Sequence, residues 1–579
     1  MGPHSAQIPV VPKAKGSFIS KLSGYFSDKP FLSSFLIAAC FLSLIYLFFR
    51  PHYQYADDVQ VLLLLKGIGL VQSPSALNGR ENILLCTLLR NLYTRFPGFQ
   101  WYSALLVLTQ FLSFWAMLAA FQWGPHRGFR TRLFLFAAAG LGAYFFGNLQ
   151  WTMTSSLAGL GAFFLSAALW REKERKPPFI AYLLVFLLVI LGVQMRYPSV
   201  GMIFLLSLPA VLALMRDRTL TPVRKTLVWF LAATALVSCL LIGTNYRFYQ
   251  REPGWVQFAD FFDQHFELHE ARYPVYDDQS KPVFDSVGWT PNDLYLFQDW
   301  YFLDEDIYSV EKLKKLSSYF PRFGLDKNPG FTLVQKLSFD TTQIALFFFL
   351  VLIWLIPRGS TRALGLSAFW TFLVLAFLMA YEKLPERVFL PALFFLVILC
   401  VFYAVPKWKT AFPGHPKPVF PAWAAAGLAV LLLLFTAYFL QKEYFRNNRW
   451  VRCEELMKTC MEGLHSKDDQ LYAVSESAFP FEFNAAFDDF EMYRHVNVVP
   501  LTWFQRSPTT RAMMDRFGVK DLLKDMADNP KIFIVCSDEE ADHYRTHLRE
   551  KYSLETVFEI VYQCAFFKVY QVHKASSAR

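Results

Sequence analysis

Apolar stretches of about 20 residues, the length an α-helix needs to cross the hydrocarbon core of a bilayer, recur along this chain. They fall near 31–49, 102–122, 132–147, 151–170, 179–194, 198–215, 226–243, 342–357, 363–381, 388–405 and 420–440. The pattern predicts a polytopic α-helical membrane protein with about eleven spans. Charged residues make up only 18% of the 579 residues and cluster between the apolar runs. The net charge of +10 is therefore read as topology rather than as a nucleic-acid footprint.

The basic loops fall on one side of an eleven-span arrangement. They carry Lys13, Lys15, Lys21 and Lys29; Arg127, Arg130 and Arg132; Arg171, Lys173, Arg175 and Lys176; Arg216, Arg218, Arg224 and Lys225; Arg358 and Arg362; and Lys407, Lys409 and Lys417. The positive-inside rule puts that side, and the N-terminus, in the cytoplasm. The first span lacks a small-residue cleavage site and reads as a retained anchor. Everything large is then extracytoplasmic: a first outer loop over 50–100, a second over 244–341, and the tail 441–579. We divide the chain into a transmembrane part, 1–440, and a soluble α/β domain, 441–579. The tail predicts strands at 471–474, 532–535, 556–562 and 566–572, with helices near 508–527 and 539–551. It has no phosphate-binding loop, nucleophile elbow or dinucleotide fingerprint.

The first outer loop carries the adjacent acids Asp57 and Asp58 just beyond the first span. The run Val59 to Leu70 and the segment Glu81 to Phe96 both predict helices along the membrane surface, with Arg80 and Glu81 between them. A carboxylate at headgroup depth can deprotonate or orient an acceptor, and cations there can hold a departing phosphate. Asp is also a favoured helix cap, so one of the two acids can serve the helix that follows. Asp57 lies nearer the membrane, while Asp58 is placed to cap a helix starting at Val59. Candidate cations on the outer side are Arg196, in the tight turn before Tyr197 and Pro198, and Lys383, Arg387 and Arg247. Lys and Arg at helix ends also snorkel to the interface without further role.

The second outer loop holds sixteen Asp and Glu against ten Lys and Arg. Trp289 and Trp300 stand beside carboxylates and amides, as in sugar sites, or else belong to a loop core or interfacial belt. Asp277-Asp278-Gln279 lacks the Gly and terminal Glu of a calcium loop, and no spacing supports a divalent metal or other cofactor. Of the eight cysteines, Cys453 and Cys460 are too far apart along one helix to bridge each other. Cys536 and Cys564 can pair if their strands are adjacent, and four free thiols is the other reading.

An acid in the first outer loop, two surface helices after it, many spans and a soluble outer C-terminal domain resemble the GT-C class of membrane glycosyltransferases. The resemblance implies a polyprenyl-phosphate sugar donor, a glycan, lipid or protein acceptor in the cell envelope, inverting transfer, and the catalytic role on Asp57 or Asp58. The segments Phe96-Pro97-Gly98-Phe99-Gln100-Trp101-Tyr102 and Gly288-Trp289-Thr290-Pro291-Asn292-Asp293 resemble bacterial envelope membrane proteins, which implies a bacterial inner membrane. The family's second acid is missing from the next outer loop, Gly147-Asn148-Leu149-Gln150-Trp151, where Asn148 offers only a hydrogen bond. Other classes compatible with this layout are a polymerase or ligase using undecaprenyl-diphosphate oligosaccharides, and a transporter or flippase.

Overall fold

The computed structural model describes residues 29–79, 81–124, 126–172, 175–216, 221–322, 349, 358–381, 384–404, 422–464 and 469–575. Arg80 and Lys383 lie outside the described residues. So do the expected span 342–357, apart from residue 349, and the basic segments 1–28 and 405–421.

Among the described residues, seven helices are long and apolar enough to cross a membrane: Pro30–Phe48, Trp101–Trp123, Trp151–Arg171, Phe179–Met215, Pro222–Tyr249, Ser360–Met379 and Glu386–Tyr403. The expected spans at 132–147 and 420–440 are helices too, within Arg127–Gly147 and Ala422–Glu462. The spans expected at 179–194 and 198–215 form one helical element, broken at Arg196, whose φ of −158° and ψ of 90° are extended. Pro198 explains the break. It has no N–H for the carbonyl of Gln194 four residues back, and that carbonyl takes the N–H of Asn82 instead, at 2.9 Å. The carbonyls of Gly192 and Arg196 both accept from the Ser155 hydroxyl, each at 2.9 Å.

Helix Trp151–Arg171 sits at the centre of the bundle, with 94% of its apolar window buried. Small residues let its neighbours approach. A Cβ on Gly161 would stand 2.9 Å from the carbonyl oxygen of Ser113, on helix Trp101–Trp123. That is backbone, which cannot yield as a side chain can.

The C-terminal sheet has five strands in the order Asn497–Leu501, Leu471–Ser475, Ile532–Cys536, Lys568–Lys574, Thr556–Gln563. The first three are parallel, and the last two form an antiparallel hairpin. Strand Asn497–Leu501 was not expected, because Pro500 interrupts its apolar run. It pairs on one side only, and an edge strand tolerates a residue without an N–H. The expected helix at 508–527 is two helices, Pro508–Arg516 and Leu522–Met526, separated at Gly518, whose φ is +68°.

The three parallel strands are buried on both faces, and both outer loops cover them. Tyr472, Val474, Phe533 and Val535 pack with Tyr53, Leu62, Leu89 and Tyr93 of the first outer loop. Their neighbours Leu471, Ala473, Ile532 and Ile534 pack with Phe284, Trp289, Phe297 and Tyr308 of the second. The alternation is the strand period of two. The boundary expected at 441 is thus a change in composition, not in packing. Helix Ala422–Glu462 runs unbroken across it, and a disulfide joins Cys460, near its end, to Cys564 beside the sheet hairpin. Cys536 is a buried free thiol, so the expected alternatives for Cys536 and Cys564 give way to this pairing. Cys564 follows directly on a strand edge that faces the end of the long helix, which brings the two Cα atoms to 5.5 Å.

The run after the acids departs from expectation. Helix Ala56–Lys66 does not lie along the membrane surface, for every residue in it except Asp57 is buried. Its apolar residues, Val59, Val61 and Leu62 to Leu65, fall on every side of the helix, and such a helix is stable only when covered. It ends at Gly67, with a φ of +79°, where a Cβ would stand 2.2 Å from the Pro74 nitrogen. Helix Ile83–Arg95 keeps the surface character: Leu84 and Leu88 are exposed while Ile83, Leu85, Leu89 and Tyr93 are buried.

Candidate active site

Two residues beyond Arg50 the chain forms a short parallel pairing, His52–Tyr53 against Asn148–Leu149. This fixes Tyr55, Asp57 and Asp58 over the outer ends of the bundle helices. In a helix, adjacent residues point about 100° apart, and here the two acids have opposite fates.

Asp57 faces outward. Its Oδ2 lies 3.6 Å from Nη1 of Arg387, in the first turn of helix Glu386–Tyr403. The guanidinium of Arg387 also lies over the ring of Tyr55, 5.1 Å from its centre. Both members of the ion pair are partly accessible, with side chains 14% and 27% exposed. A carboxylate and a guanidinium thus meet where both are partly accessible to solvent.

Asp58 faces inward and is fully buried. It does not cap its own helix, which begins at Ala56 behind Tyr55 with no side-chain cap. Its Oδ1 instead accepts the N–H of Trp151 at 3.1 Å and the hydroxyl of Tyr102 at 3.0 Å. Trp151 opens the central helix, so Asp58 takes its first N–H from a distant part of the chain and supplements the Gln150 cap, whose side chain accepts the N–H of Met153 at 2.8 Å. Burial is the largest influence on its carboxyl and pushes its pKa up to about 7, with the Tyr102 and Trp151 hydrogen bonds opposing and Asp57 adding to the rise. The Tyr102 oxygen also stands 3.3 Å from Oε1 of Glu81, which is buried and accepts from Asn78 at 2.7 Å. One phenol proton therefore stands between two buried carboxyl groups.

The remaining candidates divide sharply. Arg196 is close by: its guanidinium lies 5.4 Å from the ring centre of Trp151, the residue Asp58 caps. Tyr197 beside it is 54% exposed. Arg247 is exposed on the last turn of helix Pro222–Tyr249. Asn148 is buried and donates to the carbonyl of Tyr144, closing the end of helix Arg127–Gly147, which is a structural use of its amide. Trp289 is no sugar platform. It is 1% exposed, donates to the carbonyl of Ile307 at 2.8 Å, and packs between Phe297 and Tyr308. Trp300 has its ring against His265 and His269, each with ring centres 4.9 Å away, and belongs to the loop core. Both tryptophans were placed by composition, and the sheet they help cover uses them as apolar mass.

Tyr55, under Arg387, and Tyr102, between Asp58 and Glu81, were not singled out from the sequence. The Tyr53-Gln54-Tyr55-Ala56-Asp57-Asp58 run does hold a signal for the first, in aromatic residues set against acids at a span end. Among the described residues, no group of three or more His, Cys, Asp and Glu side chains is placed to hold a metal ion.

No protein-family model matches the chain, and no curated protein matches it. Among solved structures it is similar to the crystal structure of ArnT from Cupriavidus metallidurans in the apo state. The similarity covers 95% of this chain and 98% of that one, at 12% identity and a TM-score of 0.43.

Proposed function

We propose that this protein is a membrane glycosyltransferase that moves a sugar from a polyprenyl-phosphate donor to an envelope glycan, lipid or protein acceptor at the outer face of the membrane. The observation that carries this reading is the Asp57–Arg387 pair. In a helix otherwise wholly buried, the one accessible side chain is a carboxylate, and a guanidinium reaches it at 3.6 Å. Asp57 takes the proton of the acceptor hydroxyl. The acceptor oxygen attacks the anomeric carbon, the bond from that carbon to the phosphate oxygen breaks, and the lipid phosphate leaves with the electron pair. Arg387 offsets the charge that develops on the leaving phosphate. Attack opposite the leaving group inverts the anomeric centre. Arg196, one ring away from the Asp58 cap, is a second cation at the same end of the bundle.

The Cys460–Cys564 disulfide supports an extracytoplasmic C-terminal domain, since such bonds persist in oxidising compartments. With the basic loops, it favours a cytoplasmic N-terminus and a site facing outward.

The test uses the purified full chain with a panel of polyprenyl-phosphate sugars, following sugar transfer and donor consumption. Asp57→Asn should lower kcat by about 10²–10⁴-fold, and Arg387→Gln should weaken the use of donor, with both variants folded. Transfer that persists near the wild-type rate in both would remove the basis for this reading.

A further inference from the structure

The second outer loop meets the C-terminal domain through a shared apolar core. Two polar contacts set into that same interface can each form only while they hold a proton.

The first centres on His547, in helix Asp538–Tyr552, whose side chain is fully buried. Its Nδ1 lies 3.5 Å from Oδ1 of Asp293, and its Nε2 lies 3.8 Å from Oδ2 of Asp304. Both acids belong to the second outer loop. Asp293 also closes the capping box of helix Pro291–Gln298 with Thr290 and pairs with Lys551 at 2.6 Å. Asp304 accepts the N–H groups of Asp306 and Ile307 and the hydroxyl of Tyr552, which itself stands 2.5 Å from Asp521. Tyr301 and Tyr544 complete the wall, and Arg506 donates to the carbonyl of Asp304. Lys551 neutralises one of the two loop carboxylates. A protonated imidazole between them adds a positive charge facing the other, beside the Arg506 guanidinium, and a charge facing a buried carboxylate favours the docked arrangement.

The second contact joins Asp299 of the loop to Glu540, near the start of the same helix, carboxyl to carboxyl. Such a bond needs one proton between two acids. Glu540 accepts from the hydroxyls of Ser475 and Ser477 and from the N–H of Ser537, so it is held as the carboxylate and Asp299 carries the proton. Glu476 and Glu539 add negative charge, and Tyr295, Tyr544 and Cys536 are the other titratable neighbours.

We propose that this interface is a proton-dependent latch, in which protons on His547 and on Asp299 hold the second outer loop against the C-terminal domain. Both groups bind their proton more tightly when docked. Burial and the neighbouring acids push Asp299 up to about 8, and the two flanking carboxylates raise His547 against the opposing effect of its burial. A raised value means stabilisation that is complete below the ordinary pKa, about 4 for Asp and about 6.5 for His, and lost as pH rises through the docked value. The two contacts therefore release in the same direction, toward alkaline pH.

The test is hydrogen exchange of residues 289–308 in the full-length protein in detergent, corrected for intrinsic exchange rates, with helix Trp151–Arg171 as the internal control. Between about pH 6 and about pH 9, protection of the loop should fall by up to tenfold per pH unit for each proton released, while the control holds. Asp299→Asn, whose amide donates without a titrating proton, should extend protection to higher pH. His547→Gln should lower protection at about pH 6 and flatten the profile. Equal loop protection in the wild type across this range would overturn the proposal. So would a wild-type profile in both variants. If His547→Gln fails to fold, the wild-type profile and Asp299→Asn still decide.

Discussion

Asp58 is the residue whose replacement separates support from chemistry. Its one partnered oxygen serves two donors, the Trp151 N–H and the Tyr102 hydroxyl, at 3.1 and 3.0 Å. In Asp58→Ala the Tyr102 hydroxyl can turn to Glu81, 3.3 Å away. The Trp151 N–H loses the hydrogen bond it donates to Asp58, which costs about 1–3 kcal/mol. The Gln150 cap of the same helix stays in place, so the predicted loss is about 1–3 kcal/mol. Asp58→Asn keeps the accepting oxygen and should cost less. Because burial pushes the Asp58 carboxyl up to about 7, its contribution is complete below about 4 and fades as pH rises through 7. The stability gap between wild type and Asp58→Asn should accordingly narrow from pH 5 to pH 8, by at most about 1.4 kcal/mol per pH unit. Thermal unfolding of the purified chain, followed across pH, measures both effects, and sugar transfer is assayed on the folded fraction. An unchanged Tm in Asp58→Ala together with abolished transfer would refute the division of labour and make Asp58 the reacting acid.

Cys460→Ser should lower stability by about 2–5 kcal/mol, as loss of a native bridge typically does, and should make the Tm insensitive to reductant. A wild-type Tm that reductant does not move would show that the bond is absent or without weight. Gly67→Ala should destabilise by more than 1 kcal/mol, since the residue combines a φ of +79° with backbone 2.2 Å from a Cβ. Thermal unfolding again measures it, and a neutral result would mean the turn after the buried helix yields easily.

What was legible in the sequence follows from which forces act locally. Seven helices among the described residues were legible as spans because length and apolarity alone mark them, and the strands at 471–474 and 532–535 because continuous apolar runs mark strands covered on both faces. The edge strand at Asn497–Leu501 was not, since Pro500 argues against a strand unless its lack of a neighbour is known. The acids were legible as a pair near the membrane. Their separate fates were not, because they depend on Trp151 and Arg387, 93 and more than 300 residues away. The burial of Trp289 was not legible for a related reason. An aromatic ring reads the same in sequence whether it stacks on a ligand or fills a core, and only the position of the sheet tells the two apart.

The sheet also explains how a helix as apolar as Ala56–Lys66 can stand in an outer loop. Its leucines are covered by protein on every side. One sheet face supplies that cover for the first loop, and the other does the same for the second. Gln60 is drawn in with it and accepts from Thr502, and Lys66 donates to the carbonyl of Asp489, so two polar residues of this helix also reach the C-terminal domain. Removing residues beyond 464 would therefore not release a spare module from an intact helical bundle. It would uncover both loops at once, and with them the helix whose first turn holds Asp57. The position of Asp57 thus rests on a sheet contributed by the far end of the chain.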